Sequence, residues 1–301
     1  MGHSTLSRSR PAIRHLPDSL PGVDPVRRFE RPSLRRPRAI LAFEGWNDAC
    51  DAASGALRHA LERWNVTRPF AVIEPEEFFD FQGHRPEVTV LDGRVESMSW
   101  PETRFYGVIR PDQDHDLVIV VGDEPTFRWK TFARTVTAVL SDCGVESATM
   151  LGAYIGSVTH SMPVPLSGVA TDPTTLAASG LPPTDYDGPT GIVAVLGEAC
   201  KETGIPATSI WAATPHYLAA NENPMAMRAL LRKAGQIVGF AGDSEELRGL
   251  EAEFILQVDE AVAESDDLAE YVREIAENDR TLDPGRSGEL FDEIERFLKD
   301  V

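Results

Sequence analysis

What this chain lacks narrows its chemistry before any motif is weighed. Its three cysteines, Cys50, Cys143 and Cys200, lie far apart, with no Cys-x-x-Cys pair and no histidine at zinc-finger spacing. They read as reduced, buried thiols, not as a disulfide scaffold or a metal site. No apolar run approaches the roughly 20 residues that cross a bilayer, and the first residues lack the apolar segment of a secretory signal, so a cytoplasmic protein without a membrane partner is expected. Positive charge is scarce too. A formal net charge of −19 repels phosphate backbones and anionic headgroups, which argues against nucleic acid as a partner. Gly-x-Gly-x-x-Gly, Gly-x-x-x-x-Gly-Lys-Ser/Thr and Gly-x-Ser-x-Gly are all absent, which argues against a nucleotide cradle and a serine-hydrolase elbow.

What is present is enough for a large core. With 301 residues and 42% hydrophobic content, the chain suits one main domain with an appendage. Charge marks the boundaries. Residues 1–37 form a proline-rich arm with many arginines, few acids and no apolar period, so an irregular leader that carries little packing is expected there. From Asp243 to Val301 twenty acids face six bases on segments of helical period. Leu247, Leu250, Phe254, Val258 and Ala261 form one apolar stripe, and Leu268, Val272 and Ile275 restart it after a cap at Ser265 or Asp266. A third short helix is read in "SGELFDEIERFLK". The 243–301 appendage must lay its stripe on the main domain or on another subunit.

Between these ends, residues 38–242 alternate strands and helices. "AILAF", "PFAVIE", "DLVIVVG", "SATMLGAY" and "TSIWAA" read as buried strands. "EVTVLDGRVESMSW" reads as a hairpin on Asp92-Gly93, a pair suited to a type I′ turn, and "RFYGVI" as an extension of it. Helices follow several strands, among them "GIVAVLGEACKETG" ending on Gly204 and "PMAMRALLRKAG" ending on Gly235. Apolar strands separated by helices predict a three-layer α/β/α sandwich with a mainly parallel sheet and an added antiparallel hairpin.

In such a sheet the strand carboxyl ends share one edge, where ligands bind. Four ends here carry unusual residues: "FEGWND", "GDEP", "GAYIGSVTH" and "TPHY". They offer Glu44, Trp46, Asp48, Asp123, Glu124, Tyr154, His160, His216 and Tyr217 as a candidate crevice. A hard metal on Glu44, Asp48 and Asp123 or Glu124 is chemically conceivable, but carboxylates at a helix start more often cap it, so no metal and no cofactor is expected. His216 beside Pro215 has the chemistry of a general base, and Ser157 near His160 is a weak nucleophile arrangement. No constellation among these residues compels an enzyme.

One resemblance ties the pieces together. "FEGWNDACDAA" resembles the N-terminal signature of the proteasome assembly chaperone 2 family. Six further segments match in order: "FFDFQGHRPEV", "LDGRVESMSWP", "DLVIVVGDEPTFRW", "GVESATMLGAY", "PTGIVAVLGEAC" and "TPHYLAANENPMAMRALL". The resemblance runs from Arg38 to Gly239 and on into acidic helices like those of the bacterial branch. It implies an α/β/α sandwich related to nucleoside phosphorylases and peptidyl hydrolases. It also implies protein partners, proteasome-related ones among them, and a homo-oligomer. Some relatives end in a hydrophobic-Tyr-x tail, whereas this sequence ends Phe-Leu-Lys-Asp-Val. The leading expectation is therefore a protein-binding, assembly-chaperone-like molecule. The alternative is a hydrolase- or phosphorylase-like enzyme acting on a small molecule in the crevice.

Overall fold

The structure, a computed structural model, describes residues 25–218 and 222–278. Four continuous apolar runs make its centre. β2 (Arg38–Glu44), β7 (Leu117–Asp123), β8 (Ser147–Gly156) and β10 (Ala207–Pro215) pair in parallel in the order β7-β2-β8-β10. Strands buried on both faces need helices above and below, and the chain supplies them between strands. α1 (Ala52–Arg63) and α5 (Pro224–Val238) cover one face, where Leu57, Leu61, Leu230 and Leu231 meet Ile40, Ile119 and Ile210. α2 (Trp129–Asp142) and α4 (Ile192–Thr203) cover the other, where Phe132, Val136 and Leu196 meet Leu41, Phe43 and Val120. The three-layer α/β/α sandwich read from the sequence is the fold.

Antiparallel strands flank that parallel centre. β6 (Thr103–Val108) pairs with β7, β3 (Ala71–Ile73) with β6, and β1 (Val26–Arg28) with β3, while β9 (Leu166–Ala170) closes the far side against β10. Several expectations are corrected here. Part of the supposedly irregular arm is an edge strand, because Val26 buries its side chain opposite Ile73. Farther along the arm, Arg35 pairs with Asp116 and Arg36 with Glu146. "RFYGVI" joins the main sheet instead of the hairpin, which stands apart as β4 (Glu87–Leu91) and β5 (Arg94–Ser99). Its turn is as read, with Asp92 at φ +49° and Gly93 at +74°. α5 runs past Gly235 to Gly239, where the backbone turns left-handed. Gly235 lies inside the helix because the returning chain crowds it: a side chain there would meet the Phe240 carbonyl oxygen at 2.5 Å.

The acidic appendage contributes α6 (Glu245–Glu264) and α7 (Asp266–Asn278); α3 (Pro173–Ser179) is a short helix after β9. Ser244 and Ser265 accept hydrogen bonds from Leu247 and Leu268 N–H and cap the two appendage helices. Leu247 is buried in the core cluster that includes α5, and Val258 is buried too, so part of the α6 stripe is already covered without a second chain. Leu250 and Ala261 are exposed. The third helix read in "SGELFDEIERFLK" and residues 1–24 of the arm lie outside the described residues.

Candidate functional site

All four parallel strands end on one edge, and the hairpin springs from that edge as well, since Ile73 and Thr103 pair beside Gly122 at the end of β7. The turn after β2 is built tightly. Gly45 takes φ +106°, a conformation that L side chains rarely adopt, and a Cβ there would sit 3.2 Å from the Glu124 Cβ. Cys50 and Asp51 then follow in left-handed conformations before α1 begins.

The acids of this turn are committed to structural bonds. Asp48 is buried and accepts from the Ala53 N–H at 2.6 Å and the Ser54 N–H at 3.2 Å, so it caps α1 from inside the fold. Burial pushes its carboxyl above the usual range, and those hydrogen bonds pull partly back. Glu44 pairs with Arg58 of α1; burial raises it and Arg58 opposes the rise. Glu124 receives the Asn47 side-chain N–H at 2.6 Å and the Ile192 backbone N–H at 2.7 Å, so one carboxylate oxygen joins the β2 turn to the start of α4. Asp123 is raised by burial, with His84 nearby favouring its charge. Asn47 was not among the residues singled out from sequence, yet it is fully buried and its carbonyl accepts the Ala153 N–H at 2.8 Å. A side chain at Gly191 would overlap the Asn47 amide at 2.3 Å, so this junction admits glycine only.

A second cluster forms at the ends of β8 and β10. The Tyr217 hydroxyl accepts the His160 N–H at 2.9 Å and lies 2.6 Å from His160 Nδ1, while Nε2 stands 3.0 Å from the Asp259 carboxylate of α6. The arrangement that satisfies every donor has Tyr217 donating to Nδ1 and Nε2–H donating to Asp259. His216 meets the Tyr271 hydroxyl of α7 at 3.2 Å, with ring centroids 4.6 Å apart. These residues tie the appendage onto the sheet. Tyr154 is joined to β10 by the Thr214 hydroxyl, which donates to its carbonyl at 3.1 Å. The structure thus brings Glu44, Asp48, Asp123 and Glu124 together at one part of the edge and Tyr154, His160 and His216 at another. Asp259, 99 positions from its histidine, could not be found by any local pattern.

Apolar side chains are left exposed above these bonds. Trp46 is 51% exposed, Phe127 51% and Tyr154 38%; the first two follow β2 and β7, and Tyr154 lies among the last residues of β8. Tyr186, also exposed, lies in the loop that enters α4 beside Glu124. A recess of about 280 Å³ opens at the opposite edge, lined by Arg63, Trp64, Arg110 and Phe240. Cys50 is buried and its thiol raised by that burial, which makes it a poor nucleophile. Among the described residues no group of three or more His, Cys, Asp or Glu side chains is placed to hold a metal ion, and no helix is long and apolar enough to cross a membrane.

A three-layer sandwich whose strand-end edge is braced by hydrogen-bonded acids and carries exposed aromatics defines the class. The chain belongs to the PAC2 family, whose model matches residues 42–262. It is 40% identical to a PAC2 family protein from Streptomyces avermitilis, over 78% of this chain and 99% of that one, with a TM-score of 0.72. It is 38% identical, with the same coverage and TM-score, to a proteasome-assembly chaperone homologue of Mycobacterium tuberculosis. PbaB of Pyrococcus furiosus, described as an archaeal proteasome activator, shares the fold at 19% identity, with a TM-score of 0.62 over 78% of this chain and 98% of its own. No curated protein matches the chain.

Proposed function

We propose that this PAC2-family chain is a chaperone-type protein that grips a protein partner with the aromatic strand-end edge, acting in the cytoplasm as a homo-oligomer. The observation that carries the reading is that Phe127, Trp46 and Tyr154 are all exposed where β7, β2 and β8, neighbours in the sheet, reach this edge. Trp, Tyr and Phe supply the anchors of protein interfaces, whereas a small-molecule site encloses them in a concave pocket. The acids beneath support this reading, since Asp48, Glu44 and Glu124 hold the edge in shape. The relative named as a proteasome-assembly chaperone homologue makes proteasome subunits the first partners to try.

The test uses purified proteasome subunits titrated against the wild-type chain and the Trp46→Ser/Phe127→Ser variant. The wild type binds and the variant loses at least tenfold in affinity, while an Arg63→Ser change at the opposite edge leaves binding unchanged. Equal binding by the aromatic variant would refute the edge. Absence of binding by the wild type would remove proteasome subunits as the partner.

A further inference from the structure

The hairpin is the feature that the docking edge does not absorb. Every residue from Glu87 to Trp100 is exposed, and a side chain placed at Gly93 would meet nothing within 4 Å, so the tip stands in open solvent. One of its faces is apolar. Val88 lies opposite Met98 and Val90 opposite Val95, and alternation along β4 puts both pairs on the same side. A register shift between Thr89 and Val90 leaves Glu96 as an extra residue, and this brings Val95 into phase with Met98. Two strands with one uncovered apolar face are marginal in water; three or more are needed for independent stability.

We propose that β4 pairs with β4 of a second copy of this chain, antiparallel about a two-fold axis through Thr89. This rests on the homo-oligomer proposed above and names its interface. The two free edges of the hairpin differ. β5 is interrupted at Glu96 and bears Arg94 as well, and a bulge with charges is how an edge strand avoids pairing. β4 has an unbroken, uncharged stretch from Val88 to Leu91. In a chain of net charge −19, an uncharged stretch adds no repulsion of its own when a second copy approaches.

A two-fold contact requires a self-complementary strip, and Val88-Thr89-Val90 reads the same in both directions. Centred on Thr89, the pairing sets Val88 against Val90 of the other copy, Thr89 against Thr89, and Glu87 against Leu91. The eight apolar side chains of the two copies then form one continuous face on a four-stranded sheet. Moving the centre to Val88 apposes Thr89 with Glu87. Moving it to Glu87 apposes the two acids, and any slip by one residue sends the valines to the opposite face. The occupant is therefore a second copy, because the strip is matched to itself.

Sedimentation equilibrium of the full chain tests this with Thr89→Lys and Thr89→Glu, circular dichroism confirming that each variant stays folded. The wild type approaches twice 33.0 kDa with rising concentration. Each variant alone stays near 33.0 kDa, because like charges meet at the axis, and an equimolar mixture of the two recovers the dimer. A wild-type mass of 33.0 kDa throughout would overturn both the oligomer and this interface. An oligomer that persists in both variants would overturn the interface and leave the oligomer standing. Variants that dissociate but fail to recover on mixing would overturn the two-fold axis through Thr89.

Discussion

Replacing Asp48 by alanine isolates the structural role of the turn at the strand-end edge. The carboxylate satisfies the Ala53 and Ser54 N–H groups inside the fold, and the substitution leaves both without an acceptor. Loss of a helix cap costs about 1 kcal/mol, and a buried unsatisfied N–H costs roughly 1–3 kcal/mol. Removing a buried carboxylate also relieves its desolvation, which burial has already shown by raising the group. The balance is a loss of about 2–4 kcal/mol, or roughly 5–15 °C in melting temperature for a domain of this size. Asp48→Asn keeps an acceptor oxygen and loses less. The two differ from wild type in pH response as well. A carboxyl whose folded pKa lies above its unfolded value of 3.8 takes up a proton first in the native state, so wild-type stability rises relative to Asp48→Asn as pH falls toward 3.8. Urea unfolding across a pH series measures both. A change under about 0.5 kcal/mol in Asp48→Ala, typical of an uninvolved surface position, would refute the capping role.

Three further outcomes follow from other contacts in the fold. Burial alone would raise Asp116, but N–H groups of Arg110 and Arg35 and the Arg35 guanidinium hold its carboxyl below 3.8. Its stabilisation is therefore present above that pH and lost as pH falls through the folded pKa, and Asp116→Asn destabilises by about 1–3 kcal/mol at pH 7 with the gap closing in acid. Burial pushes the His216 imidazole below 6.5 between Tyr217 and Tyr271, with Glu274 next to the latter. Below pH 6.5 the unfolded chain binds that proton first, so stability falls on acidification, and a His216→Asn variant lacks this part of the slope in chemical denaturation. Removing residues 25–36 in addition to 1–24 strips β1 from β3 and Arg35 from Asp116, and calorimetry should show a melting temperature lower by several degrees than that of the shorter truncation.

How much of this was legible in sequence depends on how local each signal is. The central strands were readable because continuous apolar runs such as Ala39 to Phe43 have no alternative but full burial. The hairpin was readable because Asp92-Gly93 specifies its turn by backbone chemistry alone. β1 was missed because a three-residue strand inside an arginine-rich arm carries no period; only pairing with β3 makes it a strand. β9 was missed for a related reason: it is five residues long with a glycine at its centre, where a side chain would meet Leu181 at 2.8 Å. Topology alone puts the ends of the parallel strands on one edge. The bonds made there were not legible, because Asn47 to Glu124, Glu124 to Ile192 and His160 to Asp259 each join segments tens of residues apart. The stripe on α6 was visible, but whether Leu247 and Val258 meet the same subunit or another is decided by where the chain folds back.

The proposed docking edge is tested most directly by hydrogen exchange of the chain with and without the proteasome subunits proposed as its partner. The account predicts that protection on binding concentrates in residues 45–48 and 125–128, which follow β2 and β7, and in residues 154–157 at the end of β8. Protection confined to the opposite edge, around residues 110–115 and 239–242, with the aromatic loops unchanged, would contradict it.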